Sequence, residues 1–168
     1  MTDPDPFLRQ KSKNVDVVND EIRSLMDDML ETMYDAPGIG LAAIQIGVPK
    51  RVIVIDLSKD NEKKNPMFFV NPEIMKKSQN DASYEEGCLS VPNQFAEISR
   101  PDTCKVKYFD YNGNEKILET KGLLATCIQH EMDHLEGILF IDHLSKLKKS
   151  MIIKKLSKQK KTLERIVV

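Results

Sequence analysis

The sequence predicts an α+β fold, and three observations carry that prediction. Apolar residues recur at helical spacing near the N-terminus, β-branched runs with a hairpin signal fill the middle, and two helical stretches close the chain. Across residues 16–34, Val18, Ile22, Leu25, Met26, Met29, Leu30 and Met33 step by three and four, which predicts an amphipathic helix stopped by Asp35-Ala36-Pro37-Gly38. The following Gly38-Ile39-Gly40-Leu41-Ala42-Ala43 is too poor in large side chains to read as an ordinary core strand. Residues 51–57 (RVIVIDL) form a strand by β-branched content, 58–65 a polar loop, and 67–77 a strand interrupted at Pro72. Residues 84–92 read as extended or looped. Strands follow at 97–100, 105–109 and 116–120, with Asn112-Gly113 as a hairpin turn between the last two. Residues 123–135 read as a buried helix ended by Gly137, and 145–165 as a final helix with Leu147, Met151, Ile152 and Leu156 as its apolar stripe.

Composition narrows the function classes. The chain has 168 residues, 40% of them hydrophobic and 30% charged, which suits one domain with a real core. There is no Trp, so a stacking platform for single-stranded nucleic acid is poorly supported, and no DNA partner is expected. No apolar run is long enough for a membrane span, and the first twenty residues lack the apolar stretch of a signal peptide. Three cysteines, Cys88, Cys104 and Cys127, are too few and odd for a disulfide scaffold; a reducing compartment, the cytoplasm, is expected. The net charge of −1 hides an asymmetry: residues 145–168 sum to +8 and the rest to −9. No linker splits the chain, so residues 1–144 are expected to form the functional body and 145–168 a basic helix packed on it.

The strongest chemical signal is His130-Glu131-Met132-Asp133-His134. On a helix, two imidazoles four residues apart share a face and reach one cation, while the adjacent Glu can contact a water there. Two His ligands are incomplete, because a catalytic site of this kind uses three protein ligands and one open position. The extension that supplies a third His fails, since Phe140 stands at that position and His143 lies too far along. A downstream Glu ligand fails as well, since residues 145–163 contain no acid. Cys88, in Glu86-Gly87-Cys88-Leu89-Ser90, is the better third ligand: its setting is polar, Gly87 lets the backbone turn, and a thiolate suits a borderline-soft cation. An isolated Cys is more often a small buried apolar residue; the unfilled third position favours the ligand reading here.

With these residues in view the chain resembles the bacterial-type peptide deformylases. Three motifs of that family occur in order: Gly38-Ile39-Gly40-Leu41-Ala42-Ala43-Ile44-Gln45, Glu86-Gly87-Cys88-Leu89-Ser90 and His130-Glu131-Met132-Asp133-His134. The resemblance implies an α+β fold with mixed or antiparallel sheets packed around the HExxH helix, and a C-terminal helix. It implies one divalent metal ion on Cys88, His130 and His134, Fe²⁺ natively, with Zn²⁺, Ni²⁺ or Co²⁺ able to occupy the isolated protein. It gives Glu131 the acid/base role, and the Gln45 amide and the Leu89 backbone N–H the carbonyl oxygen. Gly38, Ile39 and Gly40 would pair with substrate backbone, and Tyr84, Glu86, Gly87, Leu123, Thr126, Cys127 and His130 would line a methionine pocket. The implied reaction removes the formyl group from N-formylmethionyl peptides. The basic helix would contact the ribosome near the nascent-chain exit. Two rivals remain on the residues alone: an HExxH metallopeptidase, and a non-catalytic metal-binding or ribosome-associated module.

Overall fold

The computed structural model describes residues 1–166. After a short 3-10 turn, η1 (Pro6–Arg9), the first helix α1 spans Asp20–Asp35. It starts four residues later than apolar periodicity alone predicts, because the Asn19 side chain caps it by accepting from the Ile22 N–H. Strands β1 (Gly40–Ala42), β2 (Val52–Ile55), β3 (Met67–Lys77), β6 (Thr103–Phe109) and β7 (Glu115–Lys121) form one antiparallel sheet in the order β1-β2-β3-β6-β7. Strands β4 (Asp81–Cys88) and β5 (Val91–Pro101) form a separate antiparallel pair. Helix α2 (Gly122–Leu135), a 3-10 turn at Phe140–His143 and helix α3 (Lys146–Ile166) follow.

The continuous apolar run of β2 has a direct cause: both faces of the strand are covered. Val52 and Val54 pack with Met26, Met29 and Met33 of α1, while Ile53 and Ile55 pack with Ala125, Ile128 and Leu135 of α2. Helix α2 is therefore central, with the five-stranded sheet on one side and β4 and β5 on the other. Every residue from Ala125 to Glu131 is buried, as expected of a helix enclosed on all sides. Most of its polar residues must therefore find partners inside the molecule.

Three sequence expectations need correction, and one is made definite. Gly40–Ala42, read as too small for a strand, is β1; its small residues let it lie between β2 and α2. Residues 84–92, read as extended or looped, are extended: they hold the end of β4, its turn and the start of β5. Strand β3 is not interrupted at Pro72; it carries a bulge there, with Asn71 in a left-handed conformation at φ 49 and its amide bonded to the backbone of Val15. On α3 the packed stripe is narrower than predicted: Ile152 and Leu156 are buried against Leu139, Phe140 and Ile141, whereas Leu147 and Met151 face solvent.

Candidate metal centre and active site

Cys88 ends β4, and His130 and His134 lie one turn apart on α2. The structure brings one donor atom of each within 4.8 Å of the others, and the Cys88 Sγ lies 3.3 Å from the His134 Nε2. The donors fit a cation on three counts. A thiolate and two imidazoles match the ligand set of Zn²⁺ and its neighbours. Burial holds the His134 imidazole well below its ordinary pKa, in the neutral form that ligates. The third count is the support behind His130. Its Nδ1 is 2.8 Å from the Glu86 Oε1, which leaves the opposite ring nitrogen for a ligand.

That support extends further than the motifs suggested. Arg100 of β5 donates to both oxygens of Glu86, at 2.7 and 3.0 Å, and to Asp133 at 2.9 Å. His143 reaches the same Asp133 oxygen at 2.8 Å. Burial pushes the Glu86 carboxyl up, but hydrogen bonds from His130 and Arg100 win and hold it below its usual range. Sequence reading missed Arg100 and Asp133. Asp133 lies inside the HExxH motif, and a charged residue in a helix buried on all sides was a signal that a partner must exist.

Glu131 is 5% exposed, and its Oε2 has no hydrogen-bond partner among the described residues. Burial raises its carboxyl to about 7, near the point where it can both take and give a proton. Gln45 is buried. Its Oε1 accepts from the Ala42 N–H at 2.9 Å, and its Nε2 donates to Ser90 at 3.0 Å and lies 3.6 Å from the Cys88 Sγ. The amide is thereby turned with its N–H groups towards the sulfur.

These groups open on a cleft of about 660 Å³. Gly38, Ile39 and Gly40 form one rim with Leu89, and Gln45, Cys88, His130 and Glu131 form the base. Tyr84, Glu86, Gly87, Leu123, Thr126 and Cys127 line the remaining wall, together with Phe95 and with Pro92, which the sequence reading left out. His134 lies behind the wall, 1% exposed. Burial pushes the Cys127 thiol up to about 12, which keeps it protonated. The glycines are there because of close approaches. A Cβ on Gly40 would stand 2.7 Å from the Glu131 Oε1, and one on Gly87 would stand 2.5 Å from the Phe95 ring. Among the described residues strand β1 pairs only with β2, so it is an edge that can accept another strand. Size alone does not mark the site: a groove of about 690 Å³ bounded by Lys76, Lys77, Lys105 and Lys121 lies outside this cluster.

The sequence model of the polypeptide deformylases matches residues 1–150. The chain belongs to that family. A peptide deformylase of Pelagibacter ubique is 68% identical over 168 residues, covering 100% of this chain and 96% of that protein. One from Phenylobacterium zucineum is 61% identical over 158 residues, covering 94% of each. Among solved structures, peptide deformylase from Ehrlichia chaffeensis in complex with actinonin is 45% identical, with a TM-score of 0.90 and coverage of 95% of both chains. The enzyme from Legionella pneumophila is 42% identical, again with a TM-score of 0.90, covering 98% of this chain and 96% of that one. The family is one of metal-dependent enzymes, and the α+β architecture with its C-terminal helix is the family fold.

Proposed function

We propose that this chain hydrolyses the formyl amide of N-formylmethionyl peptides, releasing formate and a free amino terminus. The observation that carries the reading is Glu131: a buried carboxyl with a free oxygen, next to the three clustered donors Cys88, His130 and His134. A divalent cation on those donors supplies Lewis acidity and makes water acidic enough to be deprotonated near neutral pH. Fe²⁺ is assigned as the working ion on family resemblance, and the same donors accept Zn²⁺, Ni²⁺ or Co²⁺.

The chain's own residues do the rest. The Glu131 carboxylate accepts the proton of the attacking water and later delivers it to the leaving amine. The Gln45 amide and the Leu89 backbone N–H donate to the carbonyl oxygen as it gains charge, each worth about 3 kcal/mol in the transition state. The free edge of β1 at Gly38, Ile39 and Gly40 holds the substrate backbone as an added strand. Tyr84, Glu86, Gly87, Leu123, Thr126 and Cys127 receive the methionine side chain. Residues 1–144 act as the catalytic body, and the basic helix lies in 145–166; residues 167 and 168 of the expected 145–168 segment lie outside the described residues. Seven of the eight lysines in 145–166 are exposed, which supports docking on ribosomal RNA close to emerging chains. Among the described residues no helix is long and apolar enough to cross a membrane, and the cytoplasm is the assigned location.

The test is formate release from formyl-Met-Ala-Ser by anaerobically prepared protein whose metal content is measured. Glu131→Gln should keep its metal and lose turnover. Internal peptide cleavage without formate release would move the assignment to a metallopeptidase, and metal binding without any turnover to a binding module.

A further inference from the structure

We propose that the methionine pocket also accepts the oxidised side chain, so that formyl-methionine sulfoxide peptides are substrates of the same site. This rests on the deformylase reading and adds a substrate class to it. The observation is the number of donors in a pocket that a thioether does not require. Leu123, Thr126, Cys127 and His130 follow one another at helical spacing along the face of α2 that lines the cleft. Thr126 is 4% exposed. Among the described residues its hydroxyl is not bonded back to the carbonyl one turn earlier, as those of Thr32 and Thr162 are. Thr126 lines the cleft, and its hydroxyl is not one of the enclosed, unpartnered polar atoms of the described residues, so it opens on the cleft, where a ligand acceptor can take its hydrogen bond.

A second hydroxyl-bearing residue, Tyr84, lines the same cleft. The Tyr84 Oη lies 3.8 Å from where a Cβ on Gly122 would be, one turn before Thr126 on the same helix. The Cys127 thiol, protonated and on the same wall, adds a weak donor. A thioether sulfur is a weak acceptor, and the norleucine methylene in its place accepts nothing. A sulfoxide oxygen is a strong acceptor, and the oxidised side chain is polar and chiral. Donors fixed on one wall therefore favour one sulfoxide epimer. The reaction is unchanged: water adds its oxygen to the formyl carbon, the C–N bond breaks, formate and the amine leave, and the sulfoxide stays intact.

The experiment compares kcat/KM of the metal-loaded chain on formyl-Met-Ala-Ser, its norleucine analogue and the two separated sulfoxide epimers. One epimer should be cleaved within about tenfold of the methionine peptide. Thr126→Val should lower the ratio of that epimer to norleucine by about tenfold or more, expressed in KM, and Tyr84→Phe should lower it too. Two results overturn the proposal: both epimers cleaved more than about a hundredfold more slowly than methionine, or a ratio that neither substitution moves. Release of formate from the methionine peptide checks the underlying reading separately, so an enzyme that cleaves methionine and norleucine but neither epimer removes this inference alone.

Discussion

Gly40 and Glu131 are in contact across the junction of β1 and α2: a Cβ on Gly40 would lie 2.7 Å from the Glu131 Oε1 and 3.2 Å from its Cδ. A methyl there must push the carboxyl aside. Displacing a catalytic group by about 1 Å can cost roughly a hundredfold in rate. Gly40→Ala should therefore lower kcat by about 10- to 100-fold while metal content and Tm stay near parental. At Gly38 the added Cβ would meet the Leu89 Cδ1 at 2.8 Å, the end of a side chain that can rotate away. Gly38→Ala should be the milder change. Steady-state kinetics with metal analysis on both variants decides this, and equal activity of Gly40→Ala and parent would sink the contact argument.

Glu86→Gln should loosen the metal. The Glu86 carboxylate accepts from His130 at 2.8 Å and from Arg100 at 2.7 Å, and an amide cannot accept at both oxygens. Loss of such a group behind a ligand typically costs about 10- to 100-fold in metal affinity. Arg100→Lys should act through the same contact, since one ammonium cannot replace a two-pronged guanidinium. Chelator competition reads both, and parental metal retention in Glu86→Gln would show that His130 needs no such support.

What could be read from the sequence followed the range of each signal. The His130–His134 spacing is local to one helix, so it was visible, and counting ligands then pointed to Cys88. The Arg100–Glu86–Asp133 contacts join β5, β4 and α2 and depend on packing that no local pattern encodes. Strand β1 escaped because its small residues answer to the closeness of Glu131, and strand propensity says nothing of that. Of the β4–β5 pair, 97–100 was legible as a strand and 84–92 as extended, but their pairing joins segments that no local pattern links. On α3 the apolar residues at 147 and 151 met the helical spacing, but the body beneath reaches only Ile152, Ile153 and Leu156.

Acid and base should both weaken the tie between α1 and the segment after β2. The Asp56 carboxylate accepts from the Tyr34 hydroxyl at 2.5 Å and from the N–H groups of Ser58 and Asn65 at 2.8 and 3.1 Å. Burial raises the Asp56 pKa, but these hydrogen bonds outweigh it and leave the carboxyl below its ordinary value. A depressed folded pKa contributes stability above the unfolded value of about 3.9 and loses it as pH falls through the folded one. Tyr34 has the opposite sign: burial and then Asp56 push it up to about 12, so its contribution is complete below about 10 and fades as pH rises towards 12. Asp56→Asn should cost about 1.5–3 kcal/mol at pH 7 and less at pH 3. Denaturant melts at the two pH values test this, and a penalty that is the same at both would refute the linkage.

The basic helix supplies the last prediction, and the packing of α3 dictates how to test it. Ending the chain at Lys146 would remove the charge but would also uncover Leu139, Phe140 and Ile141, because Ile152 and Leu156 are buried on them. Losing two such side chains costs about 3–6 kcal/mol by area, and Phe140 stacks near His130 with ring centroids 6.2 Å apart. Truncation would therefore confuse lost docking with a disturbed site. Replacing Lys154, Lys155, Lys158 and Lys161 by Gln avoids this, since all four are exposed and the buried stripe is kept. Lys149 should be left in place, because it is bonded to Asp142 at 2.5 Å. The substituted protein should cleave a free formyl peptide at the parental rate and sediment poorly with ribosomes. Binding of the parent should fall steeply with salt, because contacts to phosphates release counterions, and the substituted chain should show a shallower slope. Equal sedimentation of the two proteins at low and moderate salt would leave the lysine face as a solvated surface without a docking role.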